Sequence, residues 1–114
     1  MTPLEIQNQL EELMNELSTA NEKIIKSEKE YTESELNYKK EYAKAYLKNK
    51  TDNIKSTVAE IDQKTFLDTE EYKYTTNIKE SIYKANKSEI EVIKIKLDTL
   101  RSLLSYQKSE LDRT

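Results

Sequence analysis

Through the first half of the chain, apolar and small residues recur in one register: Ile6, Leu10, Leu13, Leu17, Ala20, Ile24, Ser27, Tyr31, Ser34 and Tyr38. The steps alternate four and three, the spacing of a left-handed coiled-coil seam on an α-helix. The first part of this seam is aliphatic. In the second part tyrosine at one core position alternates with serine at the other, a large-and-small pattern that packs but is more polar. Near Tyr42, Ala45 and Tyr46 the register slips by about one residue, as at a helix end or a change of partner. Upstream, Thr2-Pro3-Leu4-Glu5 reads as an N-cap threonine, proline at the first helical position and glutamate closing a capping box. These signals predict a helix over about residues 3–48.

The stretch KNKTDNIKSTVAEI, residues 48–61, is where the periodic pattern lapses. Asn and Asp accept turn conformations and bond locally to the backbone, so this run is read as the reversal. Thr57-Val58-Ala59-Glu60 forms a second capping box, predicting a short helix that runs to about Leu67. A turn and short helix are thus expected over about 49–67. Asp68-Thr69-Glu70-Glu71 reads as a third cap with early acidic residues. It opens a last helix over about 69–112.

In that last segment the seam positions are Tyr83, Asn86, Ile90, Ile93, Leu97, Leu100, Leu104, Gln107 and Leu111. A second stripe of Ile78, Ile82, Ala85, Val92, Leu103 and Tyr106 widens the apolar face, which suits a helix that touches more than one neighbour. One run, IEVIKIKL from Ile90 to Leu97, alternates as a strand would. Its flanks are helical and no turn residues bound it, which favours the helix.

Two matched helices, each about 65 Å long at 1.5 Å per residue, predict a single all-α domain: a long antiparallel helical hairpin with a short helix in its connection. Two helices do not cover the wide face of the second, so self-association into a helical bundle is expected. The residues assigned to the oligomer interface are Leu10, Leu13, Leu17, Ile24, Ile90, Ile93, Leu97, Leu100 and Leu104. Asn86 and Gln107 at seam positions either fix register and partner number or are polar residues tolerated near helix ends.

Composition sharpens this picture. There is no glycine and the only proline is Pro3, so nothing later forbids a helix, and hairpin turns of a sheet protein would lack their usual residue. There is no cysteine or histidine, which removes most metal-ligand sets, thiol chemistry and the usual general base. Adjacent acids such as Glu11/Glu12 and Glu70/Glu71 point to different parts of a helix surface. Glu12 with Glu16 fits a solvated face. No catalytic constellation, cofactor or metal site is expected, and the chain reads as a non-enzyme. No apolar run approaches the length of a membrane span and no signal-peptide pattern is present, so a cytoplasmic location is expected.

The formal net charge is −3, but it is unevenly placed. Residues 39–55 carry Lys39, Lys40, Lys44, Lys48, Lys50 and Lys55 against Glu41 and Asp52, whereas residues 1–30 hold seven acids and three lysines. Interleaved with tyrosine, the basic run YKKEYAKAYLKNK suggests a grip on single-stranded nucleic acid. Lys39, Lys40, Lys44, Lys48 and Lys50 would meet phosphates, and Tyr42 and Tyr46 would stack on bases. The bland alternative is that the tyrosines are seam residues and the lysines their wet face.

The order of parts resembles a group of small helical proteins from the early regions of tailed phages. The matching pieces are Tyr42 to Leu47, Thr57 to Glu60, Glu70-Glu71-Tyr72 and Leu100 to Glu110. More distantly, the layout is similar to UvsY-type phage recombination mediators, small helical oligomers that bind single-stranded DNA and help load a recombinase. The resemblance implies a homo-oligomeric accessory protein for DNA recombination or replication in a bacterial host's cytoplasm. Its partners would be itself, single-stranded DNA or a recombination or replication protein. The acidic residues from Glu5 to Glu35 motivate a different class, a protein-interaction module that inhibits a host or defence protein. A structural coiled-coil scaffold without a nucleic-acid role is a third.

Overall fold

A computed structural model describes residues 1–113, and it is all-α. Helix α1 spans Pro3–Asp52 and helix α2 spans Val58–Arg113. Both begin on the threonine caps that the sequence predicts. The Thr2 hydroxyl accepts the amide of Glu5 and the Thr57 hydroxyl accepts that of Glu60, each at 3.2 Å. In each case an otherwise orphaned first-turn N–H is satisfied.

The connection is shorter than expected and contains no helix of its own. α1 runs on past Lys48 to Asp52, and the chain turns over residues 53–57. The amide and the side chain of Asn53 both donate to the Asn49 carbonyl at 3.0 Å, and the Ser56 amide donates to the Asn53 carbonyl at 3.0 Å. Among the described residues none has positive φ, so the reversal requires no left-handed residue. The expected break near Asp68 is absent. Thr69 lies inside α2, buried, with its hydroxyl donating to the Thr65 carbonyl at 2.7 Å. A threonine that satisfies its own hydroxyl against the preceding turn sits within a helix as readily as at its cap.

Contacts gather in two compact units. The first combines residues 1–25 with residues 84–113. Leu13, Ala20, Ile90, Ile93 and Leu97 form its buried core, with Leu10, Leu17, Ile24 and Leu100 packed against it. These residues, with half-buried Leu104, were assigned above to contacts between copies. The structure corrects that assignment for the cluster: its members pack on one another between α1 and α2 of one chain, because each helix presents its aliphatic seam to the other. Asn86 and Gln107 reach the opposite backbone, donating to the Lys23 carbonyl at 3.5 Å and to the Met1 carbonyl at 2.7 Å. The partner numbers rise along α1 as they fall along α2, so the pairing is antiparallel. Leu111, read as the last seam residue, is exposed. The Ile90–Leu97 run is helical, with Ile90, Ile93 and Leu97 buried and Val92 and Ile95 exposed.

The second unit covers residues 26–83 and is built differently. Its buried residues are Ser27, Asn49, Ile61, Thr65, Thr69 and Thr76. Large side chains come from tyrosine: Tyr31 and Tyr83 stack with centroids 6.0 Å apart, and Tyr38 and Tyr42 lie at the same separation with tilted rings. Thr76 shares its hydroxyl proton between the Ser34 carbonyl of α1 at 3.1 Å and the Tyr72 carbonyl at 2.9 Å. Lys79 and Glu30 form an ion pair at 3.3 Å between the two helices. The alternation of tyrosine with serine along α1 is the large-and-small pattern expected from the sequence; the buried threonines of α2, Thr65, Thr69 and Thr76, were not part of that expectation.

Candidate nucleic-acid interface

The candidate residues all lie on α1 within the second unit, and the helix sorts them into two groups. Lys40, Lys44 and Lys48 are four residues apart and form one exposed stripe. Lys39, Tyr42, Tyr46 and Lys50 follow a line roughly 150° away around the helix at 100° per residue. The lysine stripe and the tyrosine rings therefore do not converge. Tyr42 and Tyr46 are half-buried beside the seam rather than presented as open stacking faces.

Local charge explains what several of these groups already do. The Lys39 ammonium donates to Glu35 at 3.1 Å, and Lys44 lies 3.7 Å from Glu41. Hydrogen bonds from Lys39 and then Tyr31 hold the Glu35 carboxyl below the usual glutamate range, and the same Glu35 bond pushes the Tyr31 hydroxyl above the usual tyrosine value. Tyr42 is also raised, first by burial and then by the negative charge of Asp62. Lys73 sits 5.3 Å from the centroid of the Tyr38 ring, a cation–π contact supplied from within the chain.

The basic surplus of residues 39–55 is largely answered when α2 returns beside them. That return brings Glu60, Asp62, Asp68, Glu70 and Glu71 into the same unit. Residues 26–83 together hold eleven lysines and twelve carboxylates. No ion pair engages Lys40, Lys48 or Lys50 among the described residues, so the lysine stripe keeps a local positive edge without a wide positive field.

The polar group that sequence reading passes over is Asn49. It is 3% exposed, and its side-chain amide donates to the Thr65 hydroxyl at 3.1 Å and to the Asp68 carboxylate at 3.0 Å. Thr65 in turn donates to the Ile61 carbonyl at 2.8 Å. Both N–H groups of Asn49 are occupied, so the cluster holds the end of the hairpin together and presents no donor to a ligand. A signal was available: Thr69, Thr76, Tyr83, Ile90, Leu97 and Leu104 stand seven residues apart, which continues the α2 seam back through threonines.

No helix of the described chain is long and apolar enough to cross a membrane. Neither a family model, nor a curated protein, nor a solved structure matches this chain.

Proposed function

We propose that this chain is a non-enzymatic interaction module, a helical hairpin that self-associates and engages a protein partner through its outer helix faces. The observation that supports this reading is apolar surface left outside the core. On α2, Ile78 and Ile82 are exposed four residues apart in the second unit, and Val92 and Tyr106 are exposed two heptads apart in the first. Single exposed apolar residues are ordinary on any protein, but a second line at the period of a packed seam is the pattern of a face that another helix covers. Covering one large apolar side chain is worth about 1.5–3 kcal/mol, so a few of them suffice to drive association. Sedimentation velocity over a range of concentrations tests this. A mass that rises above one chain supports the reading, and a well-folded single chain at every concentration overturns it.

A second reading is favoured by the alignment of Lys40, Lys44 and Lys48. In it the oligomer is a phage-type accessory protein for DNA recombination or replication, and the lysine stripe neutralises phosphates of single-stranded DNA. Fluorescence anisotropy with a labelled oligonucleotide distinguishes the two. Binding that weakens steeply between about 50 and 200 mM salt, and is lost when the three lysines become glutamine, supports the DNA reading. No binding at the lower salt removes it.

A further inference from the structure

Within the second unit, each helix carries a run of exposed residues that its core does not use. On α1 the run is Leu36, Lys40, Ala43 and Leu47, and on α2 it is Leu67, Glu71, Tyr74 and Ile78. Both step by four, three and four, the spacing of a coiled-coil seam. Leu36, Leu47, Leu67 and Tyr74 are 62%, 64%, 62% and 67% exposed.

Laid side by side in the same direction, the two runs are complementary position by position. Leu36 meets Leu67, Lys40 meets Glu71, the small Ala43 meets the large Tyr74, and Leu47 meets Ile78. In one chain α1 and α2 are antiparallel and both runs face away from their shared seam, so a single chain does not bring them together. We infer that the α1 run of one copy packs parallel to the α2 run of a second copy. This deepens the self-association proposed above and rests on it.

Charge selects this pairing over the others that the same runs allow. Lys40 and Glu71 are exposed, and neither has an ion pair among the described residues, so each is available to the other. Both occupy seam positions, which face their equivalents in a parallel pair of helices. Parallel pairing of either run with its own copy therefore sets Lys40 on Lys40 or Glu71 on Glu71, which is repulsive. Every antiparallel arrangement sets these charges on uncharged residues: Lys40 on Tyr74 or Ala43, and Glu71 on Ala43 or Tyr74. Only the parallel α1–α2 pairing places cation on anion.

The contact joins two different surfaces, so a copy that has used its α1 run still offers its α2 run, and assembly proceeds beyond two copies. It follows about 17 Å of helix, shorter than a standard specific interface requires, so association depends on concentration.

The test uses two variants at exposed positions, Leu47→Glu on the α1 run and Leu67→Glu on the α2 run, with circular dichroism confirming that each folds as the parent does. Sedimentation velocity is expected to show the parent assembling, each variant alone as a single chain, and their mixture as a particle of two copies and no larger. Lys40→Glu alone weakens assembly several-fold, and adding Glu71→Lys restores it; a double variant no stronger than the single one overturns the register. The chain has no cysteine, so direction is read by cross-linking single-cysteine variants with a short bis-maleimide. Leu36→Cys mixed with Leu67→Cys is expected to give more product than Leu47→Cys mixed with Leu67→Cys, and the reverse overturns the parallel direction. A parent that assembles while either variant also assembles alone, or while the mixture fails to pair, overturns this contact and leaves self-association intact. A parent that stays single at every concentration overturns both.

Discussion

The Asn49 side chain donates to the hydroxyl of Thr65 at 3.1 Å, with both residues buried. Sixteen residues and the reversal of the chain separate them, so this one bond ties the end of α1 to the first turns of α2. The two buried threonines nearby differ in what they bond to. Thr65 accepts from Asn49, whereas the Thr69 hydroxyl donates to the Thr65 carbonyl and, at 3.5 Å, to that of Phe66. Thr65→Val therefore strands a buried N–H and should cost about 1–3 kcal/mol in urea unfolding, while Thr69→Val, which only removes a redundant local bond, should stay within about 0.5 kcal/mol. Equal losses for the two would mean that the Asn49 bond contributes nothing specific.

Burial separates two leucines that the heptad pattern treats alike. Leu97 is 3% exposed and packed among Leu13, Ile90 and Ile93, whereas Leu111 is 66% exposed. Leu97→Ala should destabilise the chain by about 2–5 kcal/mol through lost burial and a residual cavity. Leu111→Ala should change stability by about 0.5 kcal/mol or less. Thermal unfolding followed by circular dichroism at one protein concentration compares them. A large loss at Leu111 would show that the seam is closed further along α2 than this fold allows.

The Tyr31–Glu35–Lys39 chain of hydrogen bonds gives two opposite pH dependences. Glu35 has its folded pKa lowered, chiefly by Lys39. Its small contribution to stability is therefore present above the ordinary glutamate value and fades as pH falls through the lowered one. Tyr31 has its folded pKa raised, chiefly by its bond to Glu35. That contribution is present below the ordinary tyrosine value and disappears as pH rises through the raised one. Titration of the Tyr31 ring by NMR should show its midpoint moving down toward the ordinary value in Glu35→Gln. An unmoved midpoint would rule out the hydrogen bond as the cause.

What the sequence made legible was the part governed by local rules. The two threonine caps, the aliphatic seam from Ile6 to Ile24 and its complement from Ile90 to Leu104 were read from spacing and residue type, and they stand in the fold. The break at Asp68 was misread because Asp-Thr-Glu-Glu has the composition of a cap wherever it occurs. Only the buried partner surface of α1 decides that Thr69 faces inward and the helix continues. The seam leucines were given to another copy because an apolar stripe does not announce which helix will cover it. The lysine and tyrosine candidates looked like one cluster because they are interleaved along the chain, yet a residue two positions on lies across the helix. Asn49 stayed hidden because its importance comes from Thr65 and Asp68, which no local pattern joins to it.

The continuity of α2 is itself open to a sharp test with proline. Val58 is exposed and occupies the first helical position after the Thr57 cap. Its N–H has no carbonyl to meet within the helix, and the fixed φ of proline suits the position, so Val58→Pro should be close to neutral. Glu70 is also exposed but lies within the helix. Proline there removes the bond to the carbonyl four residues back and crowds that turn, at a cost of about 3 kcal/mol or more. If a helix instead began at Asp68, residue 70 would be in its first turn, its amide would be unbonded, and Glu70→Pro would be as mild as Val58→Pro. Urea midpoints of the two variants, measured against the parent chain, separate the alternatives without reference to any ligand.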